Sequence, residues 1–128
     1  MTLTTEPTLL ATATVELLER AWNAGDGAAF GSAFADESDF VDIRGGHHRG
    51  AEAIARGHQA LFDSIYAGST VRYAVEVARP LAGGDVLAVV GATLDAPHGP
   101  MQGVNHARFT MVLGEEGVTA FHNTLVRQ

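Results

Sequence analysis

Val104-Asn105-His106-Ala107-Arg108-Phe109-Thr110-Met111-Val112-Leu113 decides the fold of this chain. Asn105, Ala107, Phe109 and Met111 share one face and His106, Arg108 and Thr110 the other, the two-residue period of a strand with one side on a core. Residues 70–81, 86–94 and 118–126 are β-rich in the same way, and Gly83-Gly84, Pro97-His98-Gly99-Pro100 and Gly114-Glu115-Glu116-Gly117 punctuate them. Long strands separated by turn-forming residues predict an antiparallel meander.

Upstream the period changes. Over residues 8–23, Leu10, Thr14, Leu17, Leu18, Ala21 and Trp22 recur at three- and four-residue steps while Glu16, Glu19 and Arg20 fall elsewhere, which predicts an amphipathic helix. Gly25 can end it, and Asp26 can cap a second, short helix over 27–35 with Phe30, Ala33 and Phe34 as its stripe. Phe40-Val41-Asp42-Ile43 then reads as a strand, and Arg44-Gly45-Gly46 as a tight turn. A third helix over 51–67 carries Ile54, His58, Leu61, Phe62 and Ile65 on one stripe, so His58 falls on an apolar face. Helices first and a meander afterwards predict an α+β fold, a curved, mainly antiparallel sheet wrapped around three N-terminal helices.

Composition narrows the function. A chain of 128 residues holds one core, so residues 1–128 are expected to form a single domain, and a Rossmann pair is excluded. With 15 acidic against 8 basic residues and a net charge of −7, no basic run exists to neutralise phosphates, so nucleic acid is not an expected partner. There is no cysteine, hence no disulfide and no thiolate metal site. The first seven residues contain Glu6 and no Lys or Arg, unlike a secretory signal, and no apolar run approaches the roughly 18 residues of a membrane span. No membrane partner and a cytoplasmic location are therefore expected. None of the glycine pairs stands in a phosphate-loop pattern, and no cofactor is expected. His47-His48 project in opposing directions on an extended segment and read as a solvated turn rather than a metal site.

Four segments carry a resemblance. Trp22-Asn23-Ala24-Gly25-Asp26, Ala35-Asp36-Glu37-Ser38-Asp39-Phe40-Val41-Asp42, His48-Arg49-Gly50-Ala51-Glu52-Ala53-Ile54 and Ala120-Phe121-His122-Asn123-Thr124 resemble, in order and spacing, segments of the nuclear transport factor 2-like superfamily. That superfamily includes ketosteroid isomerase and SnoaL-type polyketide cyclases. The last segment is similar to the SgcJ/EcaC-type branch, found near polyketide and enediyne clusters. The resemblance implies a conical half-barrel with one small-molecule pocket, and a homodimer formed by packing of two convex sheets. It also implies a role in polyketide- or enediyne-type biosynthesis, as a cofactor-independent isomerase or cyclase. The alternative is a non-catalytic carrier of a hydrophobic aromatic metabolite.

Asp42 matches the position of the isomerase base, and an apolar cleft would raise its pKa towards neutrality; its other reading is a strand-end carboxylate paired with Arg44 or Arg49, or capping the turn that follows. The remaining isomerase constellation is missing, because Leu18 stands where the family's tyrosine donor would be, and Ala107 and Phe109 where its protonated aspartate would lie. Each missing donor would cost an enolate about 3 to 4 kcal/mol, which disfavours steroid isomerisation. His58 is a candidate donor or second acid/base, or else a core histidine bonded to a carbonyl. His122 and Asn123 must point to opposite faces; the family match favours His122 as the acid, and a bulge would exchange the two. Arg108 enters the pocket only if its strand turns the polar face inward. Trp22, Phe40, Phe62, Phe109 and Leu18 are the expected apolar lining, with the Trp22 indole N–H seeking Asp42 or a ligand.

Overall fold

The computed structural model describes residues 5–127. Residues 1–4, most of the stretch read as unlike a secretory signal, lie outside the described residues. The elements are α1 (Thr5–Asn23), α2 (Gly27–Gly31), β1 (Phe34–Val41), β2 (His47–Arg49), α3 (Ala51–Phe62), β3 (Thr70–Pro80), β4 (Val86–Ala96), β5 (Gly103–Gly114) and β6 (Gly117–Leu125). One curved, unclosed sheet runs β2-β1-β6-β5-β4-β3, antiparallel throughout except for β1 beside β6. The meander and the α+β class stand as the periodicity predicts.

The strand expected over residues 40–43 is the longer β1, which begins at Phe34 and ends at Val41, and the first half departs from the expected boundaries in three further places. α2 stops at Gly31 instead of continuing to residue 35, and Ala33 and Phe34 are buried in the core rather than forming a helical stripe. Gly27 and Gly31 each weaken the helix by up to about 1 kcal/mol, so a five-residue helix has nothing to propagate it. These glycines have a packing use: a Cβ at Gly27 would lie 2.6 Å from the Ala55 carbonyl, and one at Gly31 2.5 Å from the Ala55 Cβ. α2 therefore rests directly on the backbone of α3. Secondly, His47-His48-Arg49 is a short edge strand, not a solvated turn, with Phe40 opposite His48 and Val41 opposite His47. Thirdly, α3 ends at Phe62 rather than residue 67, and turns fill the interval to β3.

The buried stripe of α1 is Ala11, Val15, Leu18 and Ala21, rotated from the expected one so that Leu10 stays in solvent. It lies on the β3–β4 side of the sheet, while α3 covers β1 and β2. Between them the concave face stays partly uncovered. Phe109 anchors its centre, stacked on Phe121 at 4.2 Å and edge-on to Tyr73 at 5.4 Å, and Phe121 in turn stacks on Phe40 at 4.5 Å.

Candidate functional site

The uncovered part of the concave face is a cavity of about 390 Å³. Its walls are mainly apolar, from Trp22, Phe30 and Phe40 on one side to Val71, Leu94 and Phe109 on the other. The strand alternation of β5 puts Asn105, Ala107 and Phe109 into it and leaves Arg108 on the convex face. There Arg108 bonds Glu76 through Nε at 2.9 Å. Glu76 reaches it across β4 because Gly91 has no side chain: a Cβ there would lie 2.6 Å from Glu76 Oε2. Arg108 is thus no ligand-binding residue of this cavity. The arginine that does reach the cavity is Arg44, exposed at its mouth.

On β6 the assignment is exchanged. Phe121, Asn123 and Leu125 line the cavity, and His122 lies on the convex face beside Thr110 and Thr124. His122 cannot serve as the acid of a reaction inside. The signal was present in the sequence: Phe121 is the aromatic of this run, and its parity carries Asn123 inward with it. A bulge where β5 meets β6, between Val112 and Leu113, breaks the simple count from Val118. Leu18 and Phe62 are core residues rather than lining, with Phe62 held edge-on behind Trp22 at 5.1 Å. The Trp22 indole N–H donates to Ser69 Oγ at 2.9 Å, so neither Asp42 nor a ligand is needed to satisfy it.

Asp42 sits just past the end of β1 at the cavity mouth. Its Oδ1 accepts the backbone N–H of Arg44 and of Gly46, each at 2.9 Å, and Oδ2 faces His48 Nε2 at 2.9 Å. Gly45, at φ 85, gives the turn its shape. Partial burial pushes the Asp42 pKa up, but the bonds from His48, Gly46 and Arg44 together outweigh it, and the carboxyl sits below its ordinary value. This reverses the expected shift. Asp42 both caps its turn and lines the cavity, and it is a firmly held anion rather than a base tuned to neutrality.

His48 was missed. Because a carboxylate only accepts, Nε2 carries the proton shared with Asp42, and in the neutral ring Nδ1 is left as an acceptor. Gly57 of α3, also a lining residue, keeps the space beside Nδ1 open. Adjacency to His47 hid this arrangement: His47 points to the other face and pairs with Asp39 at 2.7 Å, so the two histidines have separate partners.

His58 is 6% exposed and lines the inner wall. Its Nδ1 bonds the Ile54 carbonyl at 2.8 Å, one helical turn back. A carbonyl only accepts, so Nδ1 carries the ring proton and Nε2 is bare. Burial lowers the pKa to about 4, more than the Ile54 bond raises it, and the ring is neutral at pH 7. It therefore has no proton to give at Nε2. The further polar groups at the cavity are Tyr66 and Tyr73, whose pKa values burial raises, and the amides of Asn105 and Asn123.

An open half-barrel with one apolar cavity between sheet and helices is the architecture of the nuclear transport factor 2-like superfamily. The chain belongs to the SnoaL-like domain family, whose model matches residues 15–122. Among solved structures, it is similar to an uncharacterised cystatin-like-fold protein of Caulobacter vibrioides, at 28% identity over 95% of this chain and 91% of that one, with a TM-score of 0.83. A cystatin-like-fold domain of unknown function from Nostoc punctiforme is 25% identical over 98% of this chain and 80% of that one, with a TM-score of 0.82. The Orange Carotenoid Protein of Anabaena (Nostoc), solved binding canthaxanthin, shares the fold at 17% identity over 91% of this chain and 37% of that one, with a TM-score of 0.72. No curated protein sequence matches the chain.

Proposed function

We propose that this protein binds a flat, largely uncharged aromatic molecule in the concave cavity. The observation that carries the reading is the lining itself: aromatic and aliphatic walls, a few polar groups, and Arg44 as the permanent cation at the mouth. An apolar cavity of about 150 Å³ accommodates one benzene, so the present volume of about 390 Å³ suits two to three rings. A protein of the same fold holds a carotenoid, an uncharged conjugated polyene, which supports an apolar conjugated ligand, and the likeness to the SgcJ/EcaC-type branch puts polyketide- and enediyne-type aromatics first among compounds to try. Phosphorylated ligands fit poorly, since a dianion would meet Asp42 at short range with Arg44 alone to balance it.

Thermal shift against two panels tests this. Aromatic polyketides and steroids should stabilise the protein, by about 2.7 kcal/mol at 100-fold the dissociation constant, and nucleotides or sugar phosphates should not. Stabilisation by the phosphorylated panel alone would remove the proposal.

One observation favours chemistry as well as binding, namely the 2.9 Å contact between Asp42 and His48 at the cavity mouth. In this second reading His48 Nδ1 moves a proton on the bound ligand, as in a cofactor-independent isomerase or cyclase, and Asp42 orients the imidazole and stabilises its charged form. Product analysis separates the readings: unchanged ligand after long incubation supports a carrier, and turnover lost in both His48→Gln and Asp42→Asn supports proton transfer.

Assembly is part of the same proposal. The convex sheet face carrying Arg108, Thr110, His122 and Thr124 is open in the single chain, and a sheet-to-sheet homodimer would cover it. Light scattering should report twice the 13.4 kDa chain mass at micromolar concentration, and particles of one chain mass would exclude the dimer.

A further inference from the structure

We infer that His58 Nε2 is a built-in hydrogen-bond acceptor that selects ligands bearing a neutral hydroxyl on an aromatic ring. This rests on the cavity being a binding site for aromatic molecules. The direction of the bond follows from the geometry. Nδ1 is committed as a donor to the Ile54 carbonyl at 2.8 Å, so the cavity-side nitrogen offers a lone pair. Among the described residues no donor bonds Nε2, and the wholly enclosed side-chain polar atom without a partner is Ser38 Oγ, so Nε2 is reached from the cavity.

The ring is also fixed in place. Phe30 stacks on it at 4.1 Å, and Phe40 meets it edge-on at 5.0 Å, so it cannot turn Nε2 away without breaking those contacts and the Ile54 bond. A ligand without a donor leaves this buried acceptor dry and unpaired, whereas a phenol or enol O–H satisfies it. An imidazole with a pKa near 4 does not take the proton from a phenol with a pKa of about 10, so the contact is a neutral hydrogen bond and not a deprotonation. An anionic phenolate has no proton for Nε2 and is excluded on the same ground. The site is thus the reverse of an oxyanion hole: it recognises the hydroxyl tautomer of a ligand and not its carbonyl.

The test compares 2-naphthol with naphthalene and 2-methoxynaphthalene, in the wild-type protein and in His58→Phe. Isothermal calorimetry should give 2-naphthol at least tenfold tighter binding than either comparison compound in the wild type. Naphthalene partitions more strongly out of water, so general hydrophobicity acts against this order. In His58→Phe, whose fold circular dichroism checks, the preference should collapse. Equal wild-type affinity for the three compounds would overturn the acceptor role while leaving the aromatic cavity standing. A preference that survives in His58→Phe would move the hydroxyl to another group and also overturn it. Failure of all three to bind up to their solubility would overturn the aromatic-binding reading, and this inference with it.

Discussion

Phe109→Ala is expected to lower the unfolding free energy by about 3 kcal/mol, the low end of the range for Phe-to-Ala changes in cores. The ring is 1% exposed, stacked on Phe121 at 4.2 Å and edge-on to Tyr73 at 5.4 Å. Its loss removes two aromatic contacts as well as buried apolar area. The cost stays at the low end because the vacated space joins a cavity of about 390 Å³ that already exists, rather than becoming a sealed void inside close-packed side chains. The same geometry enlarges the binding site by about one ring. Urea unfolding should show the lower midpoint with an unchanged slope, and the variant should bind a ligand one ring larger than the wild type accepts. A loss below about 1 kcal/mol would mean that Phe109 does not anchor the concave face.

Phe109 also shows why the fold was legible in the sequence. From Ala107 to Leu113 every second residue of β5 is apolar, and the face that alternation assigns inward is the face the structure buries. Register depends on the same signal, because a one-residue slip would turn Arg108 into the cavity. On β6 the alternation is just as present in Phe121, Asn123 and Leu125, but similarity to a family segment pointed to His122, and parity was the better guide. The helical pattern runs on past Gly31 because Phe34 suits a helical stripe and a strand equally. Its assignment is decided by tertiary pairing with Val118 of β6, which no local pattern contains.

The site was less legible than the fold. Residue type and position placed Asp42 and His58 at the cavity, yet their chemistry depends on partners that only the fold brings near. Asp42 takes its charge state from two turn amides and from His48, a strand residue whose approach depends on the β1–β2 pairing. His58 takes its tautomer from the carbonyl one helical turn back and its neutrality from burial. Tyr66 enters the wall from the turn after α3, where no period marks its direction. Charge state and proton position are properties of the assembled neighbourhood, and the same two residue types in another neighbourhood would have opposite roles.

The neutrality of His58 has its own thermodynamic signature. In the unfolded chain the imidazole has a pKa of 6.5, and in the fold burial lowers it to about 4, against the Ile54 bond, with His48 lowering and Asp42 raising it further. Above pH 6.5 both states hold a neutral ring, and this contribution to stability is fully present. As pH falls from 6.5 the unfolded state gains a proton that the folded state refuses, and stability is lost until the folded ring itself protonates near pH 4. At about 1.4 kcal/mol for each pH unit, the loss reaches about 3 kcal/mol by pH 4. The lowered pKa of Asp42 acts at a different pH: its contribution is present above 3.8 and is lost only as pH falls through its still lower folded value. Acid unfolding draws on the whole chain, so the informative quantity is the difference between wild type and His58→Phe. Phenylalanine keeps the stacking on Phe30, and the Ile54 carbonyl keeps its helical partner, so the variant should fold. Denaturant unfolding at pH 7 and pH 4 should show the wild type losing about 3 kcal/mol more than the variant. Parallel losses would mean that the folded ring titrates as it does in the unfolded chain, and the neutral acceptor on the cavity wall would then have no basis.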